Sequence, residues 1–197
     1  MRILDRKFWI FDMDGTLTLA VHDFEAIRTT LGLPEGCEIL ETLAALPQAR
    51  ALPLWRRLDE IEMDLAARAS PAPGARALLV ALRRRGARLG ILTRNSVRAA
   101  HETLRVAGLQ AYFDPRWVLG REGAAPKPNP QGIRALLSRW QAPATRTVVV
   151  GDYLFDLQAG RAAGAATIYV DASGFFPWRE HADFSVRALD ALLGKHR

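Results

Sequence analysis

Four short apolar runs recur along the chain, at residues 7–13 (KFWIFDM), 87–93 (ARLGILT), 147–151 (TVVVG) and 165–170 (AATIYV). They are rich in β-branched or aromatic residues, the pattern of strands buried on both faces of a sheet. Between them the period changes. Ala75, Leu78, Leu79 and Leu82 share one helical face, as do Ile133, Leu136, Leu137 and Trp140. Asn129 followed by Pro130 predicts a helix start, with Asn as the N-cap and Pro in the first turn. Gly86 and Gly108 fall where helices would stop. Strand and helix in alternation predict an α/β fold, a doubly wound parallel sheet with helices on both faces.

The alternation breaks once. Between residues 19 and 72 no strand pattern occurs, yet Phe24, Ile27 and Leu31 are helically spaced, as are Leu52, Trp55, Leu58 and Ile61. Pro71-Ala72-Pro73-Gly74 closes the segment like a hinge. The expected organisation is an α/β core of residues 1–18 and 73–197, with a small helical insertion, 19–72, after the first strand.

Composition narrows the class. With 197 residues, 49% apolar and 24% charged, the chain is neither disordered nor collagen-like. Cys37 is the only cysteine, which excludes an internal disulfide framework and a cysteine-based metal cluster within one chain. No apolar stretch approaches the roughly 18 residues of a membrane span, and FWIF is too short for a signal peptide. A soluble cytoplasmic protein is the expectation. The net charge of +6 raises the question of nucleic acid, but only Lys7, Lys127 and Lys195 among 27 cationic residues are lysines, and the arginines are scattered. The one run, Arg83-Arg84-Arg85, precedes Gly86 and complements a helix C-terminus. No nucleic-acid partner is expected; the positive field suits steering of anionic metabolites.

Candidate chemistry gathers where strands end, the edge at which open α/β sheets bind ligands. In Phe11-Asp12-Met13-Asp14-Gly15-Thr16-Leu17-Thr18 two acids alternate with Met13, which puts both on one side of an extended segment. Such a pair divides labour between attacking group and acid/base. Thr93-Arg94-Asn95-Ser96 offers a hydroxyl, an amide and a helix N-terminus to phosphate oxygens. Lys127, stiffened by Pro126 and Pro128, suits neutralising a phosphoryl group as a point charge. In Gly151-Asp152-Tyr153-Leu154-Phe155-Asp156 two more carboxylates follow a buried strand, and acids there need a partner or a cation. Carboxylates without a cysteine or histidine cluster point to a hard cation, Mg2+ above all.

The ordered set FDMDGTLT, ILTRN, PKPNP and VVVGDYLFD resembles the haloacid dehalogenase superfamily, in its phosphatase branch with a small helical cap, phosphoglycolate phosphatase-like. The resemblance spans nearly the whole chain, including RAAGAATIYVD and the closing ADF segment. It implies an Mg2+-dependent phosphatase hydrolysing a small phosphorylated metabolite through an aspartyl-phosphate. Asp12 is then the nucleophile and Asp14 the acid that later activates water. The implied metal set is the Asp12 carboxylate, the Asp14 carbonyl and Asp152, with Asp156 supporting that shell or orienting Lys127. The implied phosphate grip is Thr93 and Lys127, beside Arg94 and Asn95, and residues 19–72 become the cap.

Two alternatives stay open from sequence: a phosphomutase using the same core motifs, and a non-catalytic binding or regulatory protein on this fold. Dehalogenation is disfavoured by the second acid, Asp14, and phosphonate cleavage by the absence of lysine from residues 19–72. His22, at the start of the insertion, is a minor candidate for touching substrate. Arg94 and Arg121 are minor candidates for binding an acidic substrate tail. His101 is expected to face solvent, and Phe175, Phe176 and Trp178 to pack a loop or an interface. Cys37 is expected to be inert.

Overall fold

The computed structural model describes residues 3–194. Six strands, β1 (Phe8–Phe11), β2 (Arg88–Leu92), β3 (Val118–Leu119), β4 (Thr147–Gly151), β5 (Ala166–Val170) and β6 (Phe184–Val186), form one sheet in the order β3-β2-β1-β4-β5-β6. Every pairing is parallel. The chain builds outward from β1 in one direction through β2 and β3, then returns to the other side of β1 with β4. The strand order therefore reverses between β1 and β4, which opens a crevice at their carboxyl ends.

Both faces of the sheet are covered. Trp9 and Phe11 point into one apolar cluster with Leu78, Leu79 and Leu82 of α4 (Ala75–Arg84) and Leu104 of α5 (Val97–Val106). Ile10 points the other way, to Ile133, Leu136 and Trp140 of α6 (Gln131–Trp140) and Ala159 of α7 (Leu154–Ala162). This alternation is the strand period of two, and both helical faces read from sequence are the buried ones. The start of α6 lies one residue later than expected. Pro130 is its N-cap, and the Asn129 Oδ1 accepts the Gln131 N–H at 2.9 Å, outside the helix proper.

Three helices lie between β1 and α4: α1 (Phe24–Leu31), α2 (Ile39–Ala45) and α3 (Gln48–Ala66). They bury an apolar cluster of their own, with Ile27, Leu31, Leu40, Leu43, Leu58 and Leu65. The stripe read on α3 is rotated in the structure. Leu52 is exposed, and the buried positions are Ala51, Leu58, Glu62, Leu65 and Ala66. An acid thus sits inside the apolar face, which a count of apolar spacing alone passes over. The two connections to the insertion run side by side, with Leu19 N–H donating to the Ser70 carbonyl and Ala72 N–H to the Leu17 carbonyl at 3.0 and 2.9 Å.

Candidate active site

The alternation of β1 continues two residues past its end. Met13 is fully buried in the cluster of Trp9 and Phe11, so Asp12 and Asp14 share the opposite, crevice side. The Asp12 N–H donates to the Val150 carbonyl at 2.8 Å, which ties the first acid to β4. The chain then folds back, with Leu17 and Thr18 N–H groups donating to the Met13 carbonyl. Gly15 makes that turn at φ 82°, and a Cβ there would overlap the Asp152 carboxylate. The glycine therefore serves the turn and admits Asp152 to the crevice.

Lys127 stands at the centre. Its Nζ donates to Asp12 Oδ1 and to Asp156 Oδ1, each at 2.5 Å. Asp156 is held in turn by the Tyr153 N–H, which donates to its Oδ2 at 3.2 Å at the start of α7. Asp152 accepts from the Thr16 hydroxyl at 3.0 Å. Carboxylate oxygens of Asp12, Asp152 and Asp156 all lie within 4.8 Å of one another.

The electrostatics follow from that crowding. Burial pushes the Asp152 carboxyl up to about 8, and the charges of Asp12 and Asp156 add to the shift. Burial also raises Asp156, to about 6, with the Lys127 ammonium opposing. For Lys127 burial acts downward, but the charges of Asp12 and Asp156 outweigh it and the ammonium is held above its usual range. Three converging carboxylates against one ammonium leave an excess of negative charge that a divalent cation would offset. Hard oxygen donors of this kind fit Mg2+ in ligand chemistry.

Asp14 is set apart from this cluster. Its Oδ2 accepts from Asn95 Nδ2 at 2.6 Å, and its Oδ1 from the Thr18 hydroxyl at 3.4 Å. Burial raises its carboxyl, against the attraction of His22. Asn95, a candidate phosphate ligand by sequence, thus turns its amide onto Asp14. Thr93 is buried at the end of β2, its hydroxyl accepting the Asn95 N–H at 3.2 Å. Arg94 reaches back, donating to the Lys127 carbonyl at 2.8 Å and to Glu41 and Glu38 of the insertion at 2.8 and 3.2 Å.

The insertion makes a second junction with the core, which sequence reasoning missed. Glu62 of α3 accepts from the Ser96 N–H and hydroxyl, both at 3.0 Å, and from Arg121 at 2.5 Å. Arg121 also pairs with Asp59 and lies over the Trp55 ring. It is therefore taken up by the insertion's own acids. The signal was an acid between Leu58 and Leu65 on one helical face, four residues after the first and three before the second. Replacing Glu62 by Ala leaves a buried guanidinium with one partner and strips Ser96 of its acceptor, and we expect a loss of about 3 kcal/mol. Thermal unfolding should fall by roughly 6–12 °C at this chain length. Glu60→Ala, which breaks only the exposed pair with Arg57, should leave the midpoint nearly unchanged. Equal shifts for the two variants would refute a structural role for the junction.

Residues 8–164 match the family of haloacid dehalogenase-like hydrolases. The chain belongs to that family. A probable phosphatase, IndB, of Dickeya dadantii is 32% identical, over 92% of this chain and 85% of its own. A phosphoglycolate phosphatase of Rhodospirillum rubrum is 33% identical, over 82% of this chain and 78% of its own. The crystal structure of a hydrolase from Pseudomonas syringae shares the fold, with a TM-score of 0.76 at 22% identity, over 95% of this chain and 96% of that one. The helical insertion after β1 and the six-stranded parallel sheet are thus features of a haloacid dehalogenase-like hydrolase. Among the described residues of this hydrolase no helix is long and apolar enough to cross a membrane.

Proposed function

We propose that this hydrolase is an Mg2+-dependent phosphatase of small phosphomonoesters, with residues 19–72 acting as its cap. The convergence of Asp12, Asp152 and Asp156 around the buried Lys127 ammonium carries the reading. The phosphatases among its relatives support the substrate class.

Phosphoryl transfer rests mainly on in-line positioning and on neutralising charge. Asp12 attacks phosphorus through a carboxylate oxygen, and the ester oxygen departs as the P–O bond breaks. Asp14 supplies the proton that oxygen needs. Its burial favours the protonated acid, and with the Asn95 amide on Oδ2 at 2.6 Å and only the longer 3.4 Å contact of the Thr18 hydroxyl on Oδ1, Oδ1 is the oxygen turned to the leaving group in this reading. Once deprotonated, Asp14 takes a proton from the water that cleaves the aspartyl-phosphate, which restores Asp12 and frees phosphate. Lys127 and Thr93 hold the transferring group. Arg94 ties the Lys127 loop to the cap, and its phosphate-binding role is reached by exchanging Glu38 and Glu41 for substrate. Asp12, Asp152 and the Asp14 carbonyl, supported by Asp156, would hold Mg2+, which would supply further neutralisation of phosphoryl charge.

Phosphate release from a panel of phosphorylated metabolites, with Mg2+ and with EDTA, tests this. Turnover should require Mg2+. The half-saturating Mg2+ concentration should also fall between pH 6 and pH 8, because a proton held by Asp152 up to about 8 must leave before a cation binds. One displaced proton gives at most about a tenfold change per pH unit. Turnover in EDTA equal to that with Mg2+ overturns the metal role, and a folded protein that releases no phosphate overturns the phosphatase reading.

A further inference from the structure

Glu62 belongs to the insertion, yet it binds the loop that carries Thr93 and Asn95. It is buried on α3, and its Oε2 accepts both the N–H and the hydroxyl of Ser96, each at 3.0 Å. Ser96 is the N-cap of α5, and its hydroxyl accepts in turn from the Ala99 N–H at 3.3 Å. An acid at a helix N-terminus is favourably placed, so the contact fixes where α5 begins.

The Ser96 N–H is part of the peptide that joins Asn95 to Ser96. The other edge of that peptide is held as well, because the Asn95 carbonyl accepts from the Arg121 N–H at 3.0 Å. Arg121 is also the residue whose guanidinium pairs with Glu62, so one ion pair backs both edges of the peptide. The Asn95 N–H donates to the Thr93 hydroxyl at 3.2 Å. Gly120 passes so close that a Cβ there would overlap the Asn95 carbonyl oxygen, which leaves the peptide little room to swing. The backbone of Asn95 is therefore fixed on every side, and with it the aim of a short side chain. That side chain donates to Asp14 Oδ2 at 2.6 Å.

We propose that Glu62 is a positioning residue for phosphoryl transfer: through the Asn95–Ser96 peptide it keeps the Asn95 amide on Asp14, and so orients the acid that protonates the departing oxygen. Docking of the insertion is then part of the catalytic geometry as well as of the fold. This assignment rests on the phosphatase reading and deepens it. Without the Glu62 carboxylate the peptide loses the acceptor on its N–H edge, and an acid displaced by a fraction of an ångström delivers its proton less well.

The test compares kcat/KM on phenyl phosphate and p-nitrophenyl phosphate. The two share a ring, but p-nitrophenolate departs readily without a proton and phenolate does not. In a two-step reaction kcat/KM reports formation of the aspartyl-phosphate, so the later duty of Asp14 in hydrolysis does not enter. In Glu62→Ala the ratio of kcat/KM, phenyl over p-nitrophenyl, should fall about tenfold, a part of what a general acid contributes. Glu62→Gln separates positioning from stability. Its side-chain oxygen can take both Ser96 donors, while the charge pair with Arg121 is lost. That variant should unfold at a lower temperature than the wild type and yet keep the wild-type ratio. The ratio is internal to each variant, so a partly unfolded preparation does not distort it. If Glu62→Ala lowers both esters by the same factor, or neither, Glu62 serves the fold alone and the assignment is overturned. A ratio that falls equally in Glu62→Ala and Glu62→Gln overturns it too, since the effect then follows the lost charge and not the hold on Ser96. The phosphatase reading fails separately, through a folded wild type that releases phosphate from neither ester nor from the metabolite panel.

Discussion

Asp12→Asn should lose at least about 10⁴-fold in phosphate release while keeping its fold. In the proposed mechanism this side chain begins the attack, and it lies at the carboxyl edge of the central strand, in the crevice made where the strand order reverses between β1 and β4. An amide of the same shape has no anionic oxygen to form the covalent intermediate, so the whole route closes rather than slowing. It also removes one negative donor from the acidic cluster and one partner from Lys127. The backbone bond from residue 12 to the Val150 carbonyl does not involve the side chain, which is why folding should survive. Asp14→Asn provides the contrast. Loss of a general acid costs typically 10²–10⁴-fold, and only where the leaving oxygen needs a proton. Formation of the aspartyl-phosphate should therefore be severely slowed on alkyl esters and much less so on p-nitrophenyl phosphate, with its later hydrolysis slowed on both, whereas Asp12→Asn should be dead on both. A burst of p-nitrophenol ahead of slow phosphate release in Asp14→Asn, absent in Asp12→Asn, distinguishes these outcomes. Comparable residual rates in Asp12→Asn and wild type would mean that Asp12 is not the nucleophile.

The reason Asp12 was legible in the sequence lies in strand periodicity. Trp9, Phe11 and Met13 had to go into the core, so Asp12 and Asp14 had to face the crevice, and Gly15 marked the turn that brings Asp152 close. The same logic of an acid after a buried run located Asp152 and Asp156. Long helical faces were equally plain, as in α4 and α6. Two strands left almost no trace. Val118–Leu119 is two residues long and Phe184–Val186 three, too short for a period to repeat. Partnerships across the fold were invisible for another reason. Asn95 lies 81 positions from Asp14, and Arg121 59 positions from Glu62. Nothing local distinguishes an arginine that will meet the insertion's acids from one that will meet substrate; only the docking of the insertion onto α5 and the β3 loop decides it.

Lys127→Met carries the second large effect, on rate and on stability together. The ammonium donates directly to Asp12, the proposed nucleophile, and loss of one such stabiliser of the transferring group costs about 10²–10³-fold in kcat. Its stability role has a sign that can be worked out. In the wild type, Asp156 holds its proton up to about 6, with burial pushing upward and Lys127 pulling downward. Without Lys127 the downward pull is gone, so the folded variant keeps a proton on Asp156 to higher pH than the wild type does. Stability changes with pH as the unfolded state's bound protons minus the folded state's. The variant's folded state binds more protons between about pH 5.5 and 8, so its stability falls faster as pH rises. In metal-free buffer, the destabilisation should be about 3 kcal/mol near pH 8, as for a buried pair missing one partner. It should shrink by up to about 1.4 kcal/mol per pH unit on acidification, because a protonated Asp156 no longer needs an ammonium. Urea unfolding of both proteins in EDTA at pH 5.5 and 8 measures this. A gap that stays constant between the two pH values would mean that Lys127 acts by packing its stem and not by neutralising the acids, and its place at the centre of the charge arrangement would have to be given up.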